Sequence, residues 1–197
     1  VVDAAMVDGA SSLMTIFHGL AAAGRWDTAQ RADNLLDGGA PFYDTYETAD
    51  GLWVSIGALE PKFFAELVQR TGLDAAFVPR QYDRRCWPEL RTAMTALFRS
   101  RSRADWCALL EGTDACFAPV LALAEVPQHA HAQARQGFIE VSGVTQPAPA
   151  PRFSRSQPAP PRPAVAAGAD TAPVLIEAGF SQDEIAALRA SGVARGD

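Results

Sequence analysis

Apolar side chains recur along the first 23 residues at Ala5, Met6, Leu13, Ile16, Phe17 and Leu20. That spacing predicts a helix over 3–23, with Asp3 as its cap and Gly24 as its stop. Residues 25–33 are polar and charged and read as a connection. The pattern then changes period. Residues 42–48, FYDTYET, are rich in aromatic and β-branched types that suit a strand. Ala49-Asp50-Gly51 marks a tight turn, because Asp-Gly favours hairpins. Beyond it Leu52, Val54 and Ile56 alternate with Trp53, Ser55 and Gly57, which predicts a second strand with one buried face. The run closes on Glu60, and Pro61 fits the first position of a helix over 61–70. That helix carries Phe63, Phe64, Leu67 and Val68 on one stripe and stops at Gly72.

Downstream, Pro79 argues for an irregular link over 73–82. A helix is expected over 88–101, with Leu90, Met94, Leu97 and Phe98 as its core stripe. Ser102 is placed to cap another, turning Trp106, Leu109 and Leu110 inward. Residues 116–120 read as a strand or extended link, 125–136 as a helix and 138–144 as a strand. Prolines interleaved with Ala, Ser and Arg make 147–163 an extended connector. Two short helices follow over 170–178 and 181–190, the second opened by the capping-box pattern Ser181 to Glu184. Their apolar stripes need a surface to cover them. The chain opens at Val1-Val2 without Met, and residues 1–5 look like a strand end entering a helix. The expectation is a fragment whose N-terminal portion is missing. No internal repeat is visible.

Composition narrows the function classes. At 197 residues, 48% hydrophobic and 20% charged, the chain can bury a substantial globular core. Seventeen basic against 23 acidic residues give a net charge of −6, so no nucleic-acid partner is indicated. Cys86, Cys107 and Cys116 are odd in number and lack metal-ligand spacing, which suits a reducing cytoplasm. No apolar run reaches membrane-spanning length, so no membrane partner is expected.

Residue chemistry leaves the function open. There is no phosphate-cradling glycine pattern, nucleophile motif or metal cluster. His18 reads as a packed or partly exposed helix residue, and His129 and His131, two apart, point to different sides of a helix. Glu60, at a strand end beside a glycine-containing loop, is the best candidate for acid/base or electrostatic work. From residue types alone the same position better suits a residue that merely caps a helix and meets its dipole. Asp37 either shapes a turn or contacts a ligand. Gly38-Gly39 permit something to approach the backbone closely. Tyr43 and Trp53 fit core or interface positions better than substrate contacts.

Five stretches carry a resemblance: VVDAAMVDG at 1–9, NLLDGGAPFYDTYET at 34–48, GALEP at 57–61, CFAPVLALAEV at 116–126 and ADTAPVLIEAGFSQDEIAAL at 169–188. In that order they resemble the family III coenzyme A transferases, and within them the 2-methylacyl-CoA racemase branch. The resemblance implies an α/β fold with a Rossmann-like large domain, mostly missing here, and a smaller mixed α+β domain. Residues 1–33 would end the large domain, 34–144 form the small one, and 145–197 return to the first. It implies an interlocked homodimer and an acyl-CoA substrate, with coenzyme A part of the substrate and no separate cofactor. The branch's catalytic His and Asp fall upstream of Val1, and none of the three histidines here matches. Glu60 is similar to the glutamate beside that histidine. Leu36, Asp37, Gly38, Gly39 and Tyr43 correspond to positions lining the acyl pocket. The chain alone is then expected to be inactive. A coenzyme A transferase acting through an aspartyl anhydride, or a non-catalytic dimerisation module, are the alternatives.

Overall fold

The computed structural model describes residues 1–196, which form a mixed α/β structure in two compact units, Val1–Ala122 and the residues from Leu123 on. The first unit begins with α1 (Met6–Leu13) and α2 (Thr15–Ala22), where the sequence predicts one continuous helix. The break falls at Met14. There the Met14 amide bonds Ser11 O, and Thr15 Oγ1 donates to Ser12 O at 2.7 Å. Hydroxyl side chains that bond the backbone locally compete with the helical ladder. Asp3 caps nothing, since Ala5 holds the N-cap position.

A three-stranded antiparallel sheet follows, ordered β1 (Tyr43–Glu47), β2 (Trp53–Gly57), β3 (Phe117–Val120). The run 116–120, left between strand and link by its sequence, is a strand. Cross-strand rows are Tyr43 with Gly57, Thr45 with Ser55 and Ala118, and Glu47 with Trp53 and Val120. These rows form the open face. The intervening Tyr46, Val54 and Ile56 are buried. Leu52, expected inside, lies outside the strand and is 39% exposed. Trp53 and Tyr43 also stand on the open face rather than in the core.

Three helices supply the covering layer: α3 (Pro61–Thr71), α4 (Trp87–Phe98) and α5 (Arg103–Leu110). Each start has a sequence cause. Prolines occupy first-turn positions of α3 and α4, where the missing N–H costs nothing. Ser102 caps α5 in a reciprocal box with Asp105. Gly72, at φ 75°, ends α3 in the left-handed conformation. Between α3 and α4 the irregular link contains 3₁₀ turns at Ala75–Arg80 and Arg84–Cys86.

The core is aromatic, and the polar atoms of Tyr46, Trp87 and Trp106 are hydrogen-bonded within it. Phe42 meets Phe64 at 5.7 Å and Trp87 at 5.9 Å between ring centroids. Tyr46 stacks on Phe98 at 5.2 Å, and Phe98 meets Trp106 edge-on at 5.1 Å. Trp106 Nε1 donates to Phe98 O at 2.9 Å, and Tyr46 Oη to Pro41 O at 2.5 Å. Burial pushes the Tyr46 hydroxyl well above its ordinary pKa.

The second unit holds α6 (Ala130–Ala134), the hairpin β4 (Phe138–Val141) and β5 (Val144–Pro147), α7 (Thr171–Glu177) and α8 (Gln182–Ala190). The single strand expected over 138–144 is two strands. Ser142 and Gly143, at φ 50° and 79°, make the two-residue turn between them. The helix expected over 125–136 shrinks to a 3₁₀ turn at Val126–Gln128 and the short α6. Residues 148–165 carry no regular structure, as the prolines dictate. Ser181 and Glu184 form the expected capping box. Among the described residues no helix is long and apolar enough to cross a membrane.

Two substitutions separate the core from the surface. Trp106→Ala removes a fully buried ring and its hydrogen bond, and is expected to cost about 3–5 kcal/mol in urea unfolding. Leu52→Ala is expected to stay within about 0.5 kcal/mol. Equal costs at the two positions would contradict the packing described.

Candidate functional site

The loop before β1 is closed by its own polar groups. The Asn34 amide donates to Asp37 Oδ1 at 2.7 Å, Asn34 Nδ2 to Asp37 Oδ2 at 2.8 Å, and the Gly39 amide to Asp37 Oδ1 at 3.3 Å. Asn34 is itself buried and ties back to the connection, bonding the Asp27 amide and carbonyl at 2.7 and 3.0 Å. Burial would raise the Asp37 carboxyl, but the bonds from Asn34 and Gly39 outweigh it and hold its pKa below the ordinary value. Asp37 is thus the hub of a turn.

Both glycines are required, for different reasons. Gly38 adopts φ 95°, which a side chain disfavours. A Cβ on Gly39 would lie 2.4 Å from Asp33 C and 2.5 Å from Asn34 O. The close approach that the glycine pair suggested is therefore, at Gly39, an approach of the chain to itself. Arg91, on α4, reaches the loop from behind. Its Nη2 donates to Gly38 O at 2.7 Å and Gly39 O at 3.0 Å, while Nη1 pairs with the Asp44 carboxylate.

Loop and sheet together enclose one side of an open cavity of about 630 Å³. Leu36, Asp37 and Gly38 form one wall and Tyr43 another. The floor is the cross-strand row Thr45, Ser55 and Ala118, with Gly57 beside it. Cys116 completes the rim. It takes a left-handed φ of 50°, and its carbonyl accepts from the Gly57 amide at 2.8 Å. Small residues on the floor leave room above the pleat, and this volume is in the range of small-molecule pockets.

Among the residues singled out from sequence, Leu36, Asp37, Gly38 and Tyr43 line this cavity, and Gly39 lies behind it as a packing requirement. Glu60 does not line it. Glu60 holds the N-cap position of α3, where its carbonyl accepts from Phe63 and Phe64 at 3.0 and 3.1 Å. Its carboxylate makes no capping bond and is solvent-exposed. Its charge is felt nearby. Burial first, and Glu60 second, raise the Tyr82 hydroxyl and the Cys116 thiol. Glu60 thus stands within electrostatic reach of the cavity rim.

Thr45, Ser55, Gly57, Cys116 and Ala118 were not singled out in advance. The strand alternation contained the signal, since Ser55 and Gly57 lie opposite the buried Val54 and Ile56. The pairing partner β3 did not announce itself. Arg91 carried no local signal, because its contacts are about 50 residues away in sequence. Among the described residues no group of His, Cys, Asp and Glu could hold a metal ion.

The loop makes two expectations. Gly39→Ala must displace backbone and is expected to cost about 2 kcal/mol or more in urea unfolding. Gly57→Ala, whose added Cβ makes ordinary contacts with the Tyr43 ring at 3.8 Å and Cys116 O at 3.9 Å, is expected to be tolerated. Asp37 has a lowered folded pKa, so its contribution is present above the ordinary aspartate value and lost as pH falls through the folded one. Asp37→Asn is expected to lower stability at pH 7, with the gap to wild type closing in acid. A pH-independent gap would show that the charge is irrelevant to the turn.

Comparison with known proteins places this geometry. The family model described as CoA-transferase family III matches residues 1–171. The chain is 39% identical over 201 residues to alpha-methylacyl-CoA racemase of Mus musculus, covering 100% of this chain and 52% of that protein. It is 38% identical over 202 residues to the Homo sapiens racemase, covering 98% and 51%. The chain thus spans about half the length of these relatives. A CAIB/BAIF family protein from Brucella suis superposes with a TM-score of 0.59 at 21% identity, over 85% of this chain and 45% of that one. The last likeness is one of fold. On the family match and the racemase identities together, this chain belongs to CoA-transferase family III.

Proposed function

We propose that the chain forms part of an acyl-CoA racemase that interconverts (R)- and (S)-2-methylacyl-CoA. The observation that carries this reading is the identity of 38–39% to alpha-methylacyl-CoA racemases along essentially the whole chain. The loop-and-sheet cavity supports it, because Leu36, Tyr43 and Ala118 offer apolar walls to an acyl group. Coenzyme A arrives as part of the substrate.

Racemisation next to a thioester removes a weakly acidic proton and returns it to the opposite face. Negative charge develops on the thioester oxygen meanwhile, and must be met by preorganised donors or positive charge. One acid/base group on each face is the economical arrangement. By the family resemblance a His and an Asp do this work, outside residues 1–197. This chain then contributes pocket wall, through Leu36, Asp37, Gly38, Gly39 and Tyr43, and a supporting carboxylate, Glu60. An exposed carboxylate free of capping duty is suited to orient and charge an imidazole. On the same reading 34–144 act as a small domain, 1–33 and 145–197 join it to a larger one, and two chains interlock. Three free cysteines suit a reducing compartment such as the cytoplasm.

The test uses the complete gene product in deuterated water with a single enantiomer of a 2-methylacyl-CoA. Exchange at the α-carbon with loss of configuration is expected, and Glu60→Gln is expected to slow it about 10- to 100-fold. Transfer of coenzyme A to an added carboxylic acid, without exchange, would replace the racemase by a transferase. Full racemisation by residues 1–197 alone would refute the division of labour.

A further inference from the structure

We propose that Arg91 is a positioning residue that holds the acyl cavity open by clamping its loop wall to its strand wall. Its guanidinium joins the Gly38–Gly39 wall to Asp44 on the strand wall, while the Tyr46 hydroxyl holds the loop only further along, at Pro41. Nη2 binds the carbonyls of Gly38 and Gly39 at 2.7 and 3.0 Å, and Nη1 pairs with Asp44 at the start of β1. Gly38 and Asp44 both line the cavity.

The chemistry requires this residue type. With Gly38 at φ 95°, two successive carbonyls converge on one donor group. Their negative ends need a cation with several N–H groups in a fixed plane, while a third acceptor, the Asp44 carboxylate, sits beside them. A planar guanidinium meets all three, whereas an ammonium is a single point charge. The base of the side chain is also fixed, because Leu90 and Met94 of the same helix are buried in the core. The Arg91 and Asp44 side chains are 37% and 26% exposed, so the pair is partly shielded from water. Asp37 closes the loop on itself, and Arg91 fixes that closed loop relative to the sheet. Without it, the wall from Leu36 to Gly38 loses its register against Tyr43 and the floor, and the turn that Asp37 closes opens more often.

This inference rests on the racemase reading for its ligand, and the experiment separates the two. Wild type, Arg91→Ala, Arg91→Lys and Arg99→Ala are compared in the complete gene product. Arg99 is the control: it pairs with Glu47 at the far end of β1, at 2.7 Å, and does not line the cavity. Backbone hydrogen exchange over 34–40 needs no substrate and reads the clamp itself. It is expected to speed up about tenfold in Arg91→Ala, with 61–71 unchanged, and to stay at the wild-type rate in Arg99→Ala. In the exchange assay KM is expected to rise about tenfold with a smaller change in kcat, and millimolar guanidinium to recover part of the loss. Arg91→Lys, which retains a charge for Asp44, is expected to fold and still leave 34–40 unprotected. If Arg91→Ala does not fold, the Lys variant alone decides. Unchanged exchange over 34–40, or equal effects at Arg91 and Arg99, would overturn the clamp. A wild type that exchanges no α-proton would overturn the racemase reading, and the protection of 34–40 would still judge Arg91.

Discussion

The tight approach of the Gly39 backbone to Asp33 and Asn34 constrains everything built around the cavity. Chain segments this close leave no volume for a side chain and must satisfy their amides locally. The Asp37 carboxylate does so by accepting from the amides of Asn34 and Gly39 and from the Asn34 side chain. The turn then delivers Pro41 and Phe42 into the core, where Phe42 touches Phe64, Tyr82 and Trp87. Tyr46 returns a hydrogen bond to Pro41 O. Loop closure and core packing are therefore one arrangement seen from two sides. The cavity is what remains where the loop turns away from the sheet.

That coupling explains which parts of the fold were legible in sequence. Residues 61–71 and 102–110 announce their helices through proline, a capping serine, a terminal glycine and a clean apolar stripe, all local signals. The β1–β2 hairpin follows from Asp50-Gly51 and alternation. Local reasoning failed where two local preferences compete, as at Met14 and Thr15, where the Met14 amide and the Thr15 hydroxyl bond the Ser11 and Ser12 carbonyls and divide an otherwise periodic helix. It failed again at Ser142-Gly143, a turn dipeptide inside what reads as one strand. Burial was misjudged for Leu52, which falls just before β2 and not on its inner face.

The candidate site was legible to a different depth. A glycine pair flanked by Asp37 and an aromatic strand marks a special backbone, and the cavity does lie there. Its floor depends on the pairing of β2 with β3, across some 60 residues, which no local pattern encodes. Its fastening depends on Arg91, equally remote. Asp37 shows how a carboxylate in such a loop divides between roles. Its oxygens are occupied by Asn34 and Gly39, so its charge serves the turn, although it also lines the cavity.

Glu60 shows the converse. Its backbone starts α3 while its carboxylate is left out of the cap, and the side chain's negative charge is felt at Tyr82 and Cys116 instead. The side chain therefore places a carboxylate beside the cavity rim with no hydrogen bond to the helix it starts. Planar carbanion chemistry needs groups on two faces of one carbon, and a sheet floor can occupy only one of them. Under the racemase reading the sheet and its loop face one side of the acyl group, and the proton-transfer groups must approach from the open side. Small residues at Ser55, Gly57 and Ala118 leave room for the acyl group above the floor.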